Sequence, residues 1–100
     1  RDKRGWTPLH AAASNGHKDT VLWLVNNGAN MEAADENGRT PLHAAASNGH
    51  TDTVLWLVQN GANQHAMDKS GWMPWFIADE NGHVDTVQSL KQFNGNRVNK

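Results

Sequence analysis

The chain has 100 residues, 37% of them hydrophobic, and a formal charge of −1 from nine Lys/Arg against ten Asp/Glu. That balance leaves no electrostatic footprint for a phosphate backbone or an anionic membrane, which removes nucleic acid and lipid as default partners; the one basic cluster, Arg1, Lys3 and Arg4, is interrupted by Asp2 and reads as a solvated terminus. With no cysteine there is no disulfide or thiolate chemistry. No apolar run is long enough for a membrane span, and no signal-peptide pattern or Asn-x-Ser/Thr sequon occurs, so an intracellular (cytoplasmic or nuclear) protein is expected.

Self-similarity at a fixed step dominates the chain. Gly5, Gly38 and Gly71 are 33 residues apart, as are Pro8, Pro41 and Pro74, and Gly16, Gly49 and Gly82. Residues 2–34 and 35–67 agree at 25 of 33 positions, so the units must share one local structure. Each opens on Asp with Gly three residues later (Asp2, Asp35, Asp68), the preference of a tight type I turn whose Asp side chain bonds back onto the chain. Thr7-Pro8 and Thr40-Pro41 then supply an N-cap hydroxyl and a first-turn proline. A first helix is predicted from Pro8 to about Asn15, rich in Ala and ended by Gly16. A second runs from about Asp19 to Asn26; its Val21-Leu22-Trp23-Leu24-Val25 stretch is apolar nearly all round, which predicts burial on several sides. Trp23 and Trp56 are accordingly expected in the core. Gly28 and Gly61 stop this helix.

The pattern Asp-x-x-Gly-x-Thr-Pro-Leu-His at Asp2–His10 and Asp35–His43, with an Ala-rich first helix, Gly-His, and a Leu/Val-rich second helix before Asn-Gly-Ala-Asn, closely resembles the ankyrin repeat. The resemblance spans essentially the whole chain. It implies an all-α solenoid of helix-turn-helix layers with β-turn tips, one domain over 1–100 made of repeats 2–34, 35–67 and 68–100. It also implies partner binding on a concave face of turn tips and first helices.

The third unit departs from the pattern. Met73-Pro74-Trp75-Phe76 replaces Thr-Pro-Leu-His, and Val87-Gln88-Ser89-Leu90-Lys91 replaces Val-Leu-Trp-Leu-Val, as expected of a terminal layer with a polar outer face. The polar tail from Asn94 to Lys100 is expected to fray. The first unit shows no such provision, so it is expected to expose apolar residues that a preceding layer would cover. An excised or engineered array, or self-association through the exposed first repeat, would explain this.

Six histidines invite a metal reading, but His10/His43 and His17/His50/His83 recur with the repeat. Packed layers lie about 8–10 Å apart, whereas a zinc ion needs every ligand near ~2.0–2.1 Å, so equivalent histidines cannot converge on one ion. The resemblance makes His10 and His43 structural. Ser14, Ser47, Asp79 and Glu80 offer nucleophiles and acids on paper but read as helix-end residues, and no enzyme, metal or cofactor is expected. A protein or peptide partner of modest negative charge is. The sharpest candidates are Trp6, Arg39 and Trp72, each directly after a turn glycine and of residue types common at interface hot spots. Tip residues Lys3, Arg4, Glu36, Asn37, Lys69 and Ser70 flank them. Helix-end residues Ser14, Asn15, Ser47, Asn48, Glu80 and Asn81 complete the predicted face. The rival expectation is a structural spacer or engineered scaffold with no partner of its own.

Overall fold

A computed structural model describes the backbone of residues 5–98 and the side chains of residues 5–93. Six helices form three successive pairs: α1 Pro8–Ser14 with α2 Lys18–Asn26, α3 Pro41–Ser47 with α4 Thr51–Gln59, and α5 Pro74–Glu80 with α6 Val84–Val98. The fold is all-α, and the described residues contain no strand.

Helix entry follows from four residues. Thr40 sits in extended backbone, and its hydroxyl accepts the His43 N–H while the His43 ring Nδ1 accepts the Thr40 N–H at 3.1 Å. Thr7 and His10 repeat the arrangement. This is a reciprocal capping box in which imidazole replaces the more usual carboxylate, satisfying donors that a helix start leaves orphaned. At the other end of α3, Gly49 has φ +72°, and a Cβ there would lie 2.5 Å from His83 Nδ1. Conformation and close approach both demand glycine.

First helices pack on first helices (α1 on α3, α3 on α5) and second helices on second helices (α2 on α4, α4 on α6). Small side chains allow the first set to approach closely: Ala12, Ala13, Ala45, Ala46 and Ala78 join Leu9 and Leu42 in the core. Val21, Val54, Leu57, Val58, Val87 and Leu90 supply it from the second helices. The core is therefore thin and continuous, shared between layers rather than enclosed in any one of them.

The expected burial of both equivalent tryptophans needs correction. Trp56 is half-buried against the core, but Trp23 is 64% exposed. The two stand in the same six-residue sequence from Thr to Val, so the difference comes from the neighbours: α4 has α2 beside it, whereas no described layer lies against the corresponding side of α2. Pro8, Thr20 and Leu24 are likewise more exposed than Pro41, Thr53 and Leu57. The expected apolar exposure on the first unit is thus present. A second correction concerns the tail, where α6 continues to Val98 instead of fraying after Phe93. Asn94 occupies the place of the stop glycines Gly28 and Gly61, which have φ of +96° and +103°, and nothing turns the chain there. Asn99 and Lys100 lie outside the described residues.

In the third unit the polar replacements Asp79, Gln88 and Lys91 are exposed, while Val87 and Leu90 are buried. Asp79 stands where the first two units have the fully buried Ala13 and Ala46.

Candidate functional site: turn tips and first helices

The second and third turns are each built around one buried aspartate. Asp35 Oδ1 accepts the backbone N–H of Asn37 at 2.8 Å and of Arg39 at 2.9 Å, and its carbonyl accepts the Gly38 N–H. Asp68 treats Ser70, Trp72 and Gly71 in the same way. The glycines take the left-handed conformation, Gly38 with φ +76° and Gly71 with φ +82°. The second carboxylate oxygen reaches back to the preceding turn. Asp35 Oδ2 accepts from Trp6 Nε1 at 3.0 Å, and Asp68 Oδ2 accepts from Arg39 Nε at 3.2 Å. Histidine adds a second tie between layers, His10 Nε2 to the Arg39 carbonyl at 2.8 Å and His43 Nε2 to the Trp72 carbonyl at 2.9 Å. Because Nδ1 accepts the backbone N–H of the capping threonine, Nε2 carries the proton and donates.

These bonds set the ionisation of the network. Burial disfavours the charged form of Asp35, but the backbone N–H groups of Arg39 and Asn37 and the Trp6 indole outweigh it and hold the carboxyl below its ordinary 3.8. Asp68 is lowered in the same way, burial again opposing, with Trp72 and Ser70 N–H groups and the Arg39 side chain prevailing. Burial pushes His43 below the ordinary histidine value of 6.5, against the Trp72 carbonyl and the nearby Asp68 charge. A folded-state pKa below the unfolded one means that the unfolded chain takes up protons first, so stability falls with falling pH in all three cases. Urea unfolding across pH should show one loss beginning below about pH 6.5, as His43 titrates in the unfolded chain, and a steeper one beginning below about pH 4 as Asp35 and Asp68 do.

Between the first two layers the turn tips and first helices enclose a cleft of about 150 Å³, lined by Trp6, His10, Ser14, Asp35, Asn37, Arg39, Ala44, Ser47 and Asn48. Six of the residues singled out in the sequence meet here: Trp6, Ser14, Asn37, Arg39, Ser47 and Asn48. His10, Asp35 and Ala44 were not singled out as site residues: the resemblance made His10 structural, Asp35 read as a turn residue and Ala44 as part of the Ala-rich first helix, yet all three line the cleft. Asn15, Glu36, Lys69, Ser70, Glu80 and Asn81 are exposed. Lys3 and Arg4 lie outside the described residues.

Several of these candidates hold the stack together. Asn48 Nδ2 donates to the Ser14 carbonyl and hydroxyl at 2.8 and 2.9 Å, and Asn81 Nδ2 does the same to Ser47 at 2.9 and 3.2 Å. Trp6 and Arg39 tie each turn to the next. Trp72 differs from both: it is 37% exposed, packs edge-on against Phe76 with ring centres 5.1 Å apart, and its indole N–H meets no acceptor among the described residues. The tryptophan-arginine stripe is therefore two interlayer ties and one open aromatic. No helix among the described residues is long and apolar enough to cross a membrane, and no three of His, Cys, Asp and Glu among them converge as metal donors.

Residues 1–68 match the sequence profile described as ankyrin repeats (3 copies). Over 36 residues the chain is 47% identical to protein phosphatase 1 regulatory subunit 27 of Mus musculus and 44% identical to that of Homo sapiens, matches that cover 36% of this chain and 23% of each relative. It is 54% identical over 33 residues to alpha-latrocrustotoxin-Lt1a of Latrodectus tredecimguttatus, a match that covers 33% of this chain and 2% of that protein. The chain thus spans only a small part of the relatives it matches. With the profile covering more than half its length and the layered helix pairs in place, the chain belongs to the ankyrin-repeat family.

Proposed function

We propose that this chain is a protein–protein interaction module, a single domain of repeats 2–34, 35–67 and 68–100, which binds a partner protein or peptide on the face of turn tips and first helices. The supporting observation is the cleft between the first two layers, where polar groups held in fixed positions converge. Ala44 contributes only a methyl group to its lining, while Ser14, Ser47 and Asn37 contribute hydroxyl and amide groups. Binding by such a surface gains from rigidity, because the side chains are already ordered by bonds between layers. Among the described tips the Arg39 charge is met by Asp68, which argues against a strongly basic face and for recognition by shape and hydrogen bonds. An intracellular setting and a non-catalytic role belong to this reading. The regulatory-subunit name of two relatives makes protein phosphatase 1 the first partner to test.

A second reading, a spacer or engineered scaffold with no partner of its own, draws support from the number of candidate side chains already engaged between layers. Calorimetric titration with purified protein phosphatase 1 separates the two, using the wild-type chain and Ser47→Arg, which fills the cleft from a half-buried helix end. The interaction module predicts binding that the substitution weakens by about tenfold or more in a chain that circular dichroism shows still folded, the lost Asn81–Ser47 hydroxyl bond lowering the melting temperature only in part. Binding that Ser47→Arg leaves unchanged removes the cleft from the interface, and an inert face toward this and other partners favours the spacer.

A further inference from the structure

The junction of the second and third turns shows what a turn edge of this chain accepts. Two bonds cross it: Lys69 N–H donates to the Asn37 carbonyl at 2.9 Å, and Asp68 Oδ2 accepts from Arg39 Nε at 3.2 Å. The incoming element is thus an Asp-X pair, with the carboxylate taking a hydrogen from the residue after the turn glycine. The N–H of X fills the carbonyl just before that glycine. The first turn uses the same carboxylate bond with a tryptophan as donor, Trp6 Nε1 to Asp35 at 3.0 Å.

On the third turn the corresponding groups are the Trp72 indole N–H and the Ser70 carbonyl, and neither has a hydrogen-bond partner among the described residues. The space they face is open. A Cβ on Gly38 would meet Lys69 N at 2.9 Å, whereas one on Gly71 meets nothing within 4 Å. A whole further layer is a poor occupant, because it would cover Asp79, which stands where Ala13 and Ala46 are completely buried, and bury its carboxylate. Nor is a tie from histidine provided, since Phe76 occupies the place of His10 and His43. What remains is room for a short segment at the turn alone.

We propose that the open edge of the third turn binds an Asp-X segment, X being any residue but proline, on an exposed loop or tail of a protein partner. The Asp carboxylate accepts the Trp72 indole N–H, the backbone N–H of X donates to the Ser70 carbonyl, and the Trp72 and Phe76 rings cover the apolar part of the segment. The proposal rests on the reading of the chain as an interaction module and names the chemistry of one part of its surface.

The probe is a synthetic peptide with the protein's own second-turn sequence, Ala33 to Thr40, titrated at millimolar concentration into the nitrogen-15-labelled chain. The Trp72 indole N–H resonance, assigned by its loss in Trp72→Phe, is expected to shift saturably. Peptides carrying Asp35→Asn or Glu36→Pro, which remove the carboxylate charge and the X N–H respectively, should each bind about tenfold more weakly. Folded Trp72→Phe, followed by the backbone amide shifts of Ser70 and Gly71, should bind the unsubstituted peptide about tenfold more weakly. No movement at Trp72, or equal affinity for all three peptides, overturns the assignment. Shifts confined to the cleft at Ser47 and Asn48 overturn it too while leaving the interaction module standing. Conversely, loss of the cleft reading in the Ser47→Arg experiment with the peptide response intact would retain the turn edge alone. A Trp72 shift that grows with protein concentration in the absence of peptide would make a second copy the occupant and defeat the assignment to a partner.

Discussion

Leu57→Ala is expected to lower the free energy of unfolding by about 3–4 kcal/mol, and the same substitution at Leu24 by roughly half as much. The side chains are equivalent in sequence and stand in the same six-residue stretch, residues 20–25 and 53–58. Leu57 is completely buried between neighbouring layers, so its removal leaves a cavity walled on all sides, whereas Leu24 is half-buried and its loss opens toward solvent. Against a total stability of about 5–15 kcal/mol for a domain of this size, the first substitution removes a large fraction. Paired urea titrations measure both; equal losses would mean that the exposed side of the first layer is covered in solution.

His43→Ala is expected to cost about 3 kcal/mol and to lower the melting temperature by about 12–24 °C. Three effects add. The Trp72 carbonyl loses its donor, the Thr40 N–H loses its acceptor at the start of α3, and a cavity replaces a ring that is 0% exposed. His43→Phe fills the cavity but leaves both polar groups unpaired, and should recover only part of the loss. One unit later Phe76 stands in the equivalent place, where no described turn presents a carbonyl that needs a donor, so that part of the cost is absent there. Thermal unfolding by circular dichroism compares the variants. A melting temperature for His43→Phe as high as that of the wild type would show that the imidazole contributes only bulk.

The repeat was legible because punctuation recurs. Asp, Gly, Thr-Pro and a second Gly each impose a local geometry that does not depend on distant contacts, and the helix ends of the first two units differ from expectation by about a residue. The placement of Trp23 was not legible, since an apolar run reports that a helix can be buried and not whether a neighbour is there to bury it. Similarly, a residue after a turn glycine reads as an exposed tip, yet Trp6 and Arg39 point their donors at the aspartate of the next turn. That bond joins residues 29 apart, and spacing within one unit carries no sign of it. Trp72 is exposed, and the acceptor corresponding to Asp35 and Asp68 would belong to a further turn.

The packing of each helix on its own layer and on adjacent layers has a consequence for how the chain acquires its structure. Ordering one layer closes only short loops, so the entropic barrier to the first organised unit is small. The middle layer, α3 with α4, is the only one with a described neighbour on both sides, and six consecutive residues of α3, Pro41 to Ala46, are buried. Structure that starts there can grow in either direction, while structure that starts at an outer layer has a single route. The order of events is then set by neighbour coupling, and weakening the α3 contacts slows folding more than an equal loss of stability in α2 or α6.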